Sequence, residues 1–142
     1  MDQLLQFTAN HPLLVTAAVV TGALLVFNEI RSAGQGQFQI SPDQAVRLMN
    51  RGALIVDLRK SDDYQAGHLA GARNLQLDAL ADKLDTLKKY RKKPVIAYDE
   101  KGFTASRAMA QLQKAEFEQV FCLRGGFAAW REEHLPVSKG KS

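Results

Sequence analysis

The chain has 142 residues and a net charge of +4, with 46% hydrophobic and 24% charged residues. This composition is typical of one folded domain of ordinary size, and it excludes a disordered or collagen-like chain. The single cysteine excludes an intrachain disulfide and a zinc site built from several cysteines. The predicted fold therefore depends on its hydrophobic core for stability.

The first thirty residues contain no Lys or Arg and only two acids, Asp2 and Glu29. Between these acids lies a nearly continuous apolar run, and residues 11–30 as a helix would cross a hydrocarbon core of about 30 Å. We predict a transmembrane helix over about residues 11–30, within an N-terminal segment of residues 1–31. A cleaved signal peptide and a buried core helix are the alternatives; Ser32-Ala33-Gly34 resembles a cleavage site, but no basic residue precedes the run.

The basic residues predict the orientation of this helix. None lies before the apolar run, whereas Arg31, Arg47 and Arg51 follow it. Basic loops stay on the cytoplasmic side of a membrane, so we expect the N-terminus outside and the rest of the chain in the cytoplasm. The lipid bilayer is then the first expected partner.

Residues 38–137 alternate short apolar runs with helical stretches, which is typical of a mainly parallel sheet covered by helices. A linker over residues 32–37 and a polar tail over residues 138–142 flank this domain. The runs predicted as strands are Phe38–Ile40, Ala53–Asp57, Pro94–Tyr98 and Val120–Leu123. The predicted helices cover 42–49, 61–65, 77–90, 105–115 and 127–133.

A six-residue loop joins the strand Pro94–Tyr98 to the following helix. A loop in this position can hold an anion, because its backbone amides converge and the helix N-terminus adds positive potential. An enzyme that uses this geometry would carry a cysteine thiolate at the first loop position. In this chain that position is Asp99. The loop consists of Asp99, Glu100, Lys101, Gly102, Phe103 and Thr104.

Two motifs resemble the signatures of the rhodanese (sulfurtransferase) domain family. The first comprises Val56-Asp57-Leu58-Arg59, Tyr64, Gly67-His68-Leu69 and Gly71-Ala72-Arg73-Asn74-Leu75, and the second comprises Leu123-Arg124-Gly125-Gly126-Phe127-Ala128-Ala129-Trp130 with Leu135-Pro136-Val137. The resemblance implies an α/β domain with a five-stranded parallel sheet and helices on both faces. A membrane helix before one such domain is similar to the anchored single-domain rhodanese-like proteins of Gram-negative bacteria, which implies the inner membrane.

The resemblance also implies what the loop does in active members of the family. There the loop has the pattern Cys-x-x-Gly-x-Arg, and its cysteine carries a sulfane sulfur as a persulfide. Gly102 matches the glycine, but Asp99 stands at the cysteine and Thr104 at the arginine. A carboxylate cannot hold sulfane sulfur reversibly, so we expect the usual reaction to be absent and Asp99 to accept hydrogen bonds from the loop amides. No cofactor and no metal are expected.

Several other residues have a structural and a functional interpretation. Cys122 is either a small apolar residue of a core strand or a displaced sulfur carrier. His68 is either a structural histidine bonded to loop backbone or a general base. Asp57 and Arg59 form either a structural ion pair or a substrate clamp. Trp130 is predicted as a core anchor. The glycines predicted to form turns are Gly67, Gly71, Gly125 and Gly126.

The sequence thus predicts a binding or adaptor module at the cytoplasmic membrane, with an unidentified protein partner. Its predicted contact surface comprises Arg59, Glu100, Lys101 and Phe103. The alternative is an active sulfurtransferase, acting on thiosulfate or a persulfide, that uses Cys122 or a partner's thiol. The basic run over residues 88–93 is either a solvated helix end or a contact for anionic headgroups. No sequence feature indicates a nucleic-acid partner.

Overall fold

The computed structural model describes residues 1–36 and 38–141. The chain divides into two units at the boundary between residues 37 and 38. The N-terminal unit contains α1 (Asp2–Asn10) and α2 (Pro12–Gly36). The helices are separate because Pro12 has no backbone N–H to donate and fits only the first turn of a new helix.

Helix α2 is long and apolar enough to cross a membrane. Its segment Pro12–Arg31 spans 20 residues with a mean hydropathy of 2.0, and none of the most apolar window is buried. This exposure contradicts the alternative that the segment is a core helix of a soluble domain. The length and composition of this segment fit both a transmembrane helix and a secretory signal peptide.

The predicted linker over residues 32–37 is wrong in its first part. Helix α2 continues to Gly36, so residues 32–36 have helical backbone. Extending an existing helix is much less costly than starting one, which is why the glycines near its end do not stop it earlier. The last residue of the predicted linker, Gln37, lies outside the described residues.

The second unit is built around a five-stranded sheet with the order β1-β5-β4-β2-β3, and every neighbouring pair of strands is parallel. Four strands lie where the sequence predicts them. The fifth, β3, was not located in the sequence because two residues are too few to show an alternating pattern. The strands are β1 (Gln39–Ile40), β2 (Leu54–Asp57), β3 (Arg73–Asn74), β4 (Val95–Tyr98) and β5 (Val120–Leu123).

Helices cover both faces of the sheet, as the family resemblance implied. One core layer contains Leu80, Leu87 and Leu112 from the helices on the first face. The other contains Tyr64 and Trp130 from the helices on the second face. The helices of this unit are α3 (Pro42–Asn50), α4 (Ser61–Ala66), α5 (Leu77–Lys83), α6 (Ala105–Lys114) and α7 (Gly126–Glu132).

The helix predicted over residues 77–90 is divided. After α5 ends at Lys83, a 3-10 helix covers Leu84–Tyr90. A 3-10 helix places every third side chain on one face, so Leu84, Leu87 and Tyr90 all pack against the same core layer. The spacing of the apolar residues fits both kinds of helix, and the sequence pattern alone could not separate them.

The domain extends beyond its predicted end at Val137. Ser138 pairs with His68 as an isolated antiparallel bridge, with backbone N to O distances of 2.9 and 2.8 Å. The backbone N–H of Gly140 also donates to the carbonyl oxygen of Gln65 at 2.9 Å. The first part of the predicted polar tail is therefore hydrogen-bonded to the last turn of α4 and to the loop after it.

Candidate functional site

The candidate site lies at the carboxyl ends of the parallel strands, where open α/β sheets place their functional loops. The loop Asp99–Thr104 follows β4 and leads into α6, as the sequence predicts. Asp57 ends β2, the strand beside β4. The sheet therefore places the loop Asp99–Thr104 beside Asp57 of the first family motif, at the carboxyl ends of these two strands.

The side chain of Asp99 turns back into its own loop. Its carboxylate accepts hydrogen bonds from the backbone N–H groups of Gly102 and Thr104. It also accepts one from the hydroxyl of Thr104, with 2.7 Å between Oγ1 and Oδ2. Asp99 is 7% exposed, so these bonds are made away from bulk water. The predicted contacts between this carboxylate and the loop amides are present.

The N-terminus of α7 holds the backbone of the same loop. The N–H of Phe127 donates to the carbonyl oxygen of Asp99 at 2.8 Å, and the N–H of Ala128 donates to that of Glu100 at 2.9 Å. This close approach requires glycine at position 126, because a Cβ atom there would lie 2.5 Å from the Asp99 carbonyl oxygen. The φ angle of Gly126 is +61°, which also favours glycine.

Asp57 and Arg59 form a buried ion pair. Nη2 of Arg59 lies 2.7 Å from Oδ2 of Asp57, and its Nε lies 3.1 Å from Oδ1. The hydroxyl of Tyr98 donates to the same Oδ2 at 2.7 Å and accepts from the N–H of Leu69 at 3.2 Å. Arg59 Nη2 also donates to the carbonyl oxygen of Gly67 at 2.6 Å. These contacts connect the ends of β2 and β4 to the loops that follow β2 and α4, which supports the structural interpretation of the pair.

The pKa shifts at this pair follow from burial and from the Asp57 charge. Burial acts to lower the pKa of Arg59, but the hydrogen bonds and the charge of Asp57 outweigh it, and the pKa is raised. Burial also raises the pKa of the Tyr98 hydroxyl far above its usual range, and the nearby carboxylate adds to this. Both groups therefore keep their protons at physiological pH.

Arg59, predicted as part of the contact surface, is largely buried. The residue is 8% exposed, and its guanidinium carbon lies 4.0 Å from the centre of the Phe127 ring. From this position it donates to Oε2 of Glu100 at 3.2 Å, while Arg131 donates to Oε1 of Glu100 at 2.6 Å. Its guanidinium therefore contacts both Asp57 and Glu100, and it positions the Glu100 side chain from inside the domain.

The other predicted contact residues do lie at the surface. Phe103 is 82% exposed, Lys101 is exposed, and the side chain of Glu100 is 43% exposed. These three residues, which we call the loop rim, border an open cleft of about 440 Å³. The cleft is also lined by Arg59 and Asp99.

His68 has a structural environment. Its Nδ1 lies 2.7 Å from the carbonyl oxygen of Tyr64, its ring stacks on the Tyr64 ring at 3.8 Å, and it is 4% exposed. Trp130 is 1% exposed and donates from Nε1 to the carbonyl oxygen of Pro136 at 2.9 Å, as expected of a core anchor. The turn glycines Gly71 and Gly125 have φ angles of +75° and +72°, respectively.

Cys122 lies on β5 in the core layer that contacts α6. It is 5% exposed, and its Sγ lies 4.0 Å from Sδ of Met109. Burial, together with the nearby charge of Asp99, raises the pKa of the thiol to about 11. A thiol in this state is a poor nucleophile at neutral pH, which favours the core interpretation.

Sequence reasoning missed two side chains that complete the site, Tyr98 and Arg131. Tyr98 is the last residue of an apolar run, and its only signal in the sequence is that a tyrosine at a buried strand end needs a partner for its hydroxyl. Arg131 gave no signal in the sequence, because its contact with Glu100 joins residues 31 positions apart.

Within residues 1–36 and 38–141, no three His, Cys, Asp or Glu side chains are grouped as metal ligands.

Comparisons with known proteins agree with this geometry. The family model of the rhodanese-like domain matches residues 41–133. The chain is 36% identical to the uncharacterized protein YibN of Escherichia coli (strain K12), over 99% of this chain and 100% of that protein. It is also 34% identical to the thiosulfate sulfurtransferase GlpE of Pseudomonas entomophila, over 68% of this chain and 86% of the relative. The chain therefore belongs to the rhodanese-like domain family.

Solved structures show the same fold. The rhodanese-like domain of the Anabaena protein Alr3790 superimposes with a TM-score of 0.64 at 26% identity, covering 72% of this chain and 79% of that one. The 3-mercaptopyruvate sulfotransferase SseA of Escherichia coli gives a TM-score of 0.64 at 22% identity, covering 74% and 52% of the two chains.

Proposed function

We propose that this protein is a rhodanese-like binding module tethered to the inner membrane, and that it does not transfer sulfur. One observation carries the proposal: the Asp99 carboxylate accepts hydrogen bonds from the loop amides of Gly102 and Thr104. A loop of this kind stabilises an anionic nucleophile or a bound oxyanion through such amides. With a fixed carboxylate in that position, the loop holds a permanent anion of its own.

The chemistry of a carboxylate supports the loss of sulfur transfer. Sulfane sulfur is carried as a persulfide, which needs a thiolate that can attack and later leave. Neither oxygen of Asp99 can do this, and both are engaged in hydrogen bonds. The two oxygens do, however, stabilise the loop and so preserve the shape of the rim.

Sulfur transfer through Cys122 or a partner's thiol is the second candidate, and the name of the GlpE relatives favours it. Cys122 would need access to the donor and a low pKa. It is instead buried, and its pKa is raised to about 11. We therefore place this activity second.

A thiosulfate-to-cyanide assay on the full chain in detergent micelles separates the two candidates, with an intact-mass measurement after thiosulfate treatment. We expect no thiocyanate above the protein-free rate and no added mass. A gain of about 32 Da, the mass of one sulfur atom, that disappears in Cys122→Ala would establish the second candidate and overturn the first. Repeating the thiosulfate-to-cyanide assay with small thiols added tests whether the protein transfers sulfur through a thiol supplied by a partner.

The proposed contact surface is the loop rim, Glu100, Lys101 and Phe103. An exposed aromatic ring close in sequence to charged residues is typical of a protein contact, because aromatic residues contribute much of the binding energy at interfaces. Affinity capture from detergent-solubilised membranes compares the wild-type chain with Phe103→Ala and with the control Glu118→Ala. We expect the captured protein to be lost only with Phe103→Ala. Equal capture by all three chains would contradict this surface.

The proposed topology rests on the apolar helix α2 and on the absence of basic residues before it. It places the N-terminus outside and the rhodanese-like domain in the cytoplasm. In a Cys122→Ala background, a membrane-impermeant maleimide applied to spheroplasts should label Gln3→Cys and leave Lys92→Cys unlabelled. Labelling of position 92 would reverse the topology, and N-terminal sequencing of the mature chain would reveal a cleaved signal.

A further inference from the structure

The structure contains a second charged surface that the proposed function does not use. Most of it lies near the amino end of β4, whereas the loop rim follows the carboxyl end of that strand. The 3-10 helix ends at Tyr90, and the turn after it leads into β4. We call this surface the basic patch. Its cations are Arg73, Lys88, Lys89, Arg91, Lys92 and Lys93.

Tyr90 holds three of these cations close together. The charged groups of Arg73, Lys89 and Lys93 lie 5.3, 5.2 and 5.8 Å from the centre of its ring. Arg73 also donates from Nη2 to the Tyr90 hydroxyl at 3.0 Å. The ring itself packs against the hydrophobic core. The contacts with Tyr90 therefore hold these cations near one another, and the attraction of each cation to the ring offsets part of their mutual repulsion.

Most of this charge is not neutralised by acids. Lys88 pairs with Asp85 at 2.9 Å, and Arg91 lies 3.8 Å from a carboxylate oxygen of Glu116. In the described part of the chain, the remaining cations, Arg73, Lys89, Lys92 and Lys93, have no carboxylate oxygen within 4 Å. All four of these side chains are exposed.

The covalent tether attaches to the domain at β1, an outer strand of the sheet. The chain enters the domain at Phe38 and passes directly into β1, which runs parallel to its neighbour β5. Gln39 of β1 pairs with Cys122, which pairs with Ala97, so β1 begins two residues further along the sheet than β4, whose first residue, Val95, follows the turn containing Lys92 and Lys93. In sequence, Phe38 follows the apolar segment ending at Arg31 by seven positions.

We infer that the basic patch binds the anionic phosphate headgroups of the bilayer in which α2 is anchored. This inference rests on the membrane tether of the proposed function. Exposed Lys and Arg side chains are attracted to anionic lipids within about one Debye length of the surface, and the tether keeps them near that distance.

Hydrogen exchange of the full chain in lipid nanodiscs tests the inference. One set of discs contains phosphatidylcholine alone, and the other contains phosphatidylcholine with phosphatidylglycerol. We expect exchange of residues 84–94 to be slower in the anionic discs, by about fivefold, and to return to the higher rate in strong salt. Exchange of residues 99–104 should be the same in both discs.

Two variants with the same loss of charge make the comparison specific. The patch variant carries Arg73→Gln, Lys89→Gln, Lys92→Gln and Lys93→Gln. The control variant carries Lys60→Gln, Lys114→Gln, Lys139→Gln and Lys141→Gln, all at exposed positions outside the patch and the loop rim. We expect the patch variant to lose the protection and the control variant to keep it.

Three results would overturn the inference: equal exchange of the wild-type chain in both discs, protection that survives in the patch variant, or protection that appears only when soluble heparin is added. The last result would assign the patch to a soluble polyanion. Failure of the tether is visible separately, because the chain would then not co-purify with the discs. Flotation of that chain with vesicles of the same two compositions would still test the patch by itself.

Discussion

The guanidinium of Arg59 spans both carboxylate oxygens of Asp57, at 2.7 and 3.1 Å, and both side chains are buried. Asp57 ends a central strand, and Arg59 reaches from it to the loop backbone at Gly67 and to Glu100 on the rim. This pair therefore connects the sheet to the loops of the candidate site. Its role in stability can be measured directly.

Arg59→Ala should strongly destabilise the domain. The substitution leaves the Asp57 carboxylate buried beside Tyr98 with no cation, and the loss of one partner of a buried pair costs about 3–5 kcal/mol. Urea unfolding of the full chain in detergent micelles, followed by the fluorescence of the single tryptophan, measures the change. The control Arg47→Ala breaks an exposed pair with Asp43 and should cost about 0.5 kcal/mol or less. Similar losses for both variants would contradict the structural role of Arg59.

Asp99→Cys, made in a Cys122→Ala background, should produce a reactive thiol. The new sulfur would face the backbone N–H groups that now bind the carboxylate, and such donors at the start of a helix stabilise a thiolate. We expect its pKa to lie below the ordinary value of about 8.5, as measured by the pH dependence of bimane labelling. An ordinary or raised pKa would show that the loop no longer stabilises an anion at that position.

Gly126→Ala should destabilise the loop that contains Asp99. An added Cβ would lie 2.5 Å from the Asp99 carbonyl oxygen and 2.8 Å from that of Glu100, at a φ angle of +61°. Gly71→Ala is a matched control, since its φ angle is +75° and nothing lies within 4 Å of an added Cβ. The control should cost about 1–2 kcal/mol from backbone conformation alone, and Gly126→Ala should cost clearly more. Equal unfolding free energies would remove the argument for a close approach.

Cys122 should make the domain less stable at high pH. The folded thiol keeps its proton up to a pKa of about 11, whereas its reference value is 9.0, so unfolding between these pH values releases a proton. The free energy of unfolding should therefore fall as the pH rises from about 9 toward 11, by on the order of 2 kcal/mol from this group. The difference between the wild-type chain and Cys122→Ala isolates the contribution, because other groups titrate in both. A difference that does not change with pH would contradict the buried thiol.

Much of the fold could be predicted from local patterns. The apolar runs of β2, β4 and β5 and the helix starts at Pro42 and Ala105 depend on neighbouring residues, so the sequence alone determined them. The same is true of the apolar α2 and of Asp99 at the first loop position. Helix α2 extends further than predicted, and the two-residue β3 was missed, because end positions and very short strands carry little local pattern.

Only the tertiary structure decided which of these residues meet. Whether Arg59 faces solvent or Asp57, and whether Glu100 has a partner in Arg131, depends on contacts between residues up to 41 positions apart. The clustering of Arg73 with Lys89 and Lys93 around Tyr90 depends on the parallel arrangement of the strands. The physical reason is that backbone propensity acts over a few neighbouring residues, while burial and ion pairing act between groups that the folded sheet brings together.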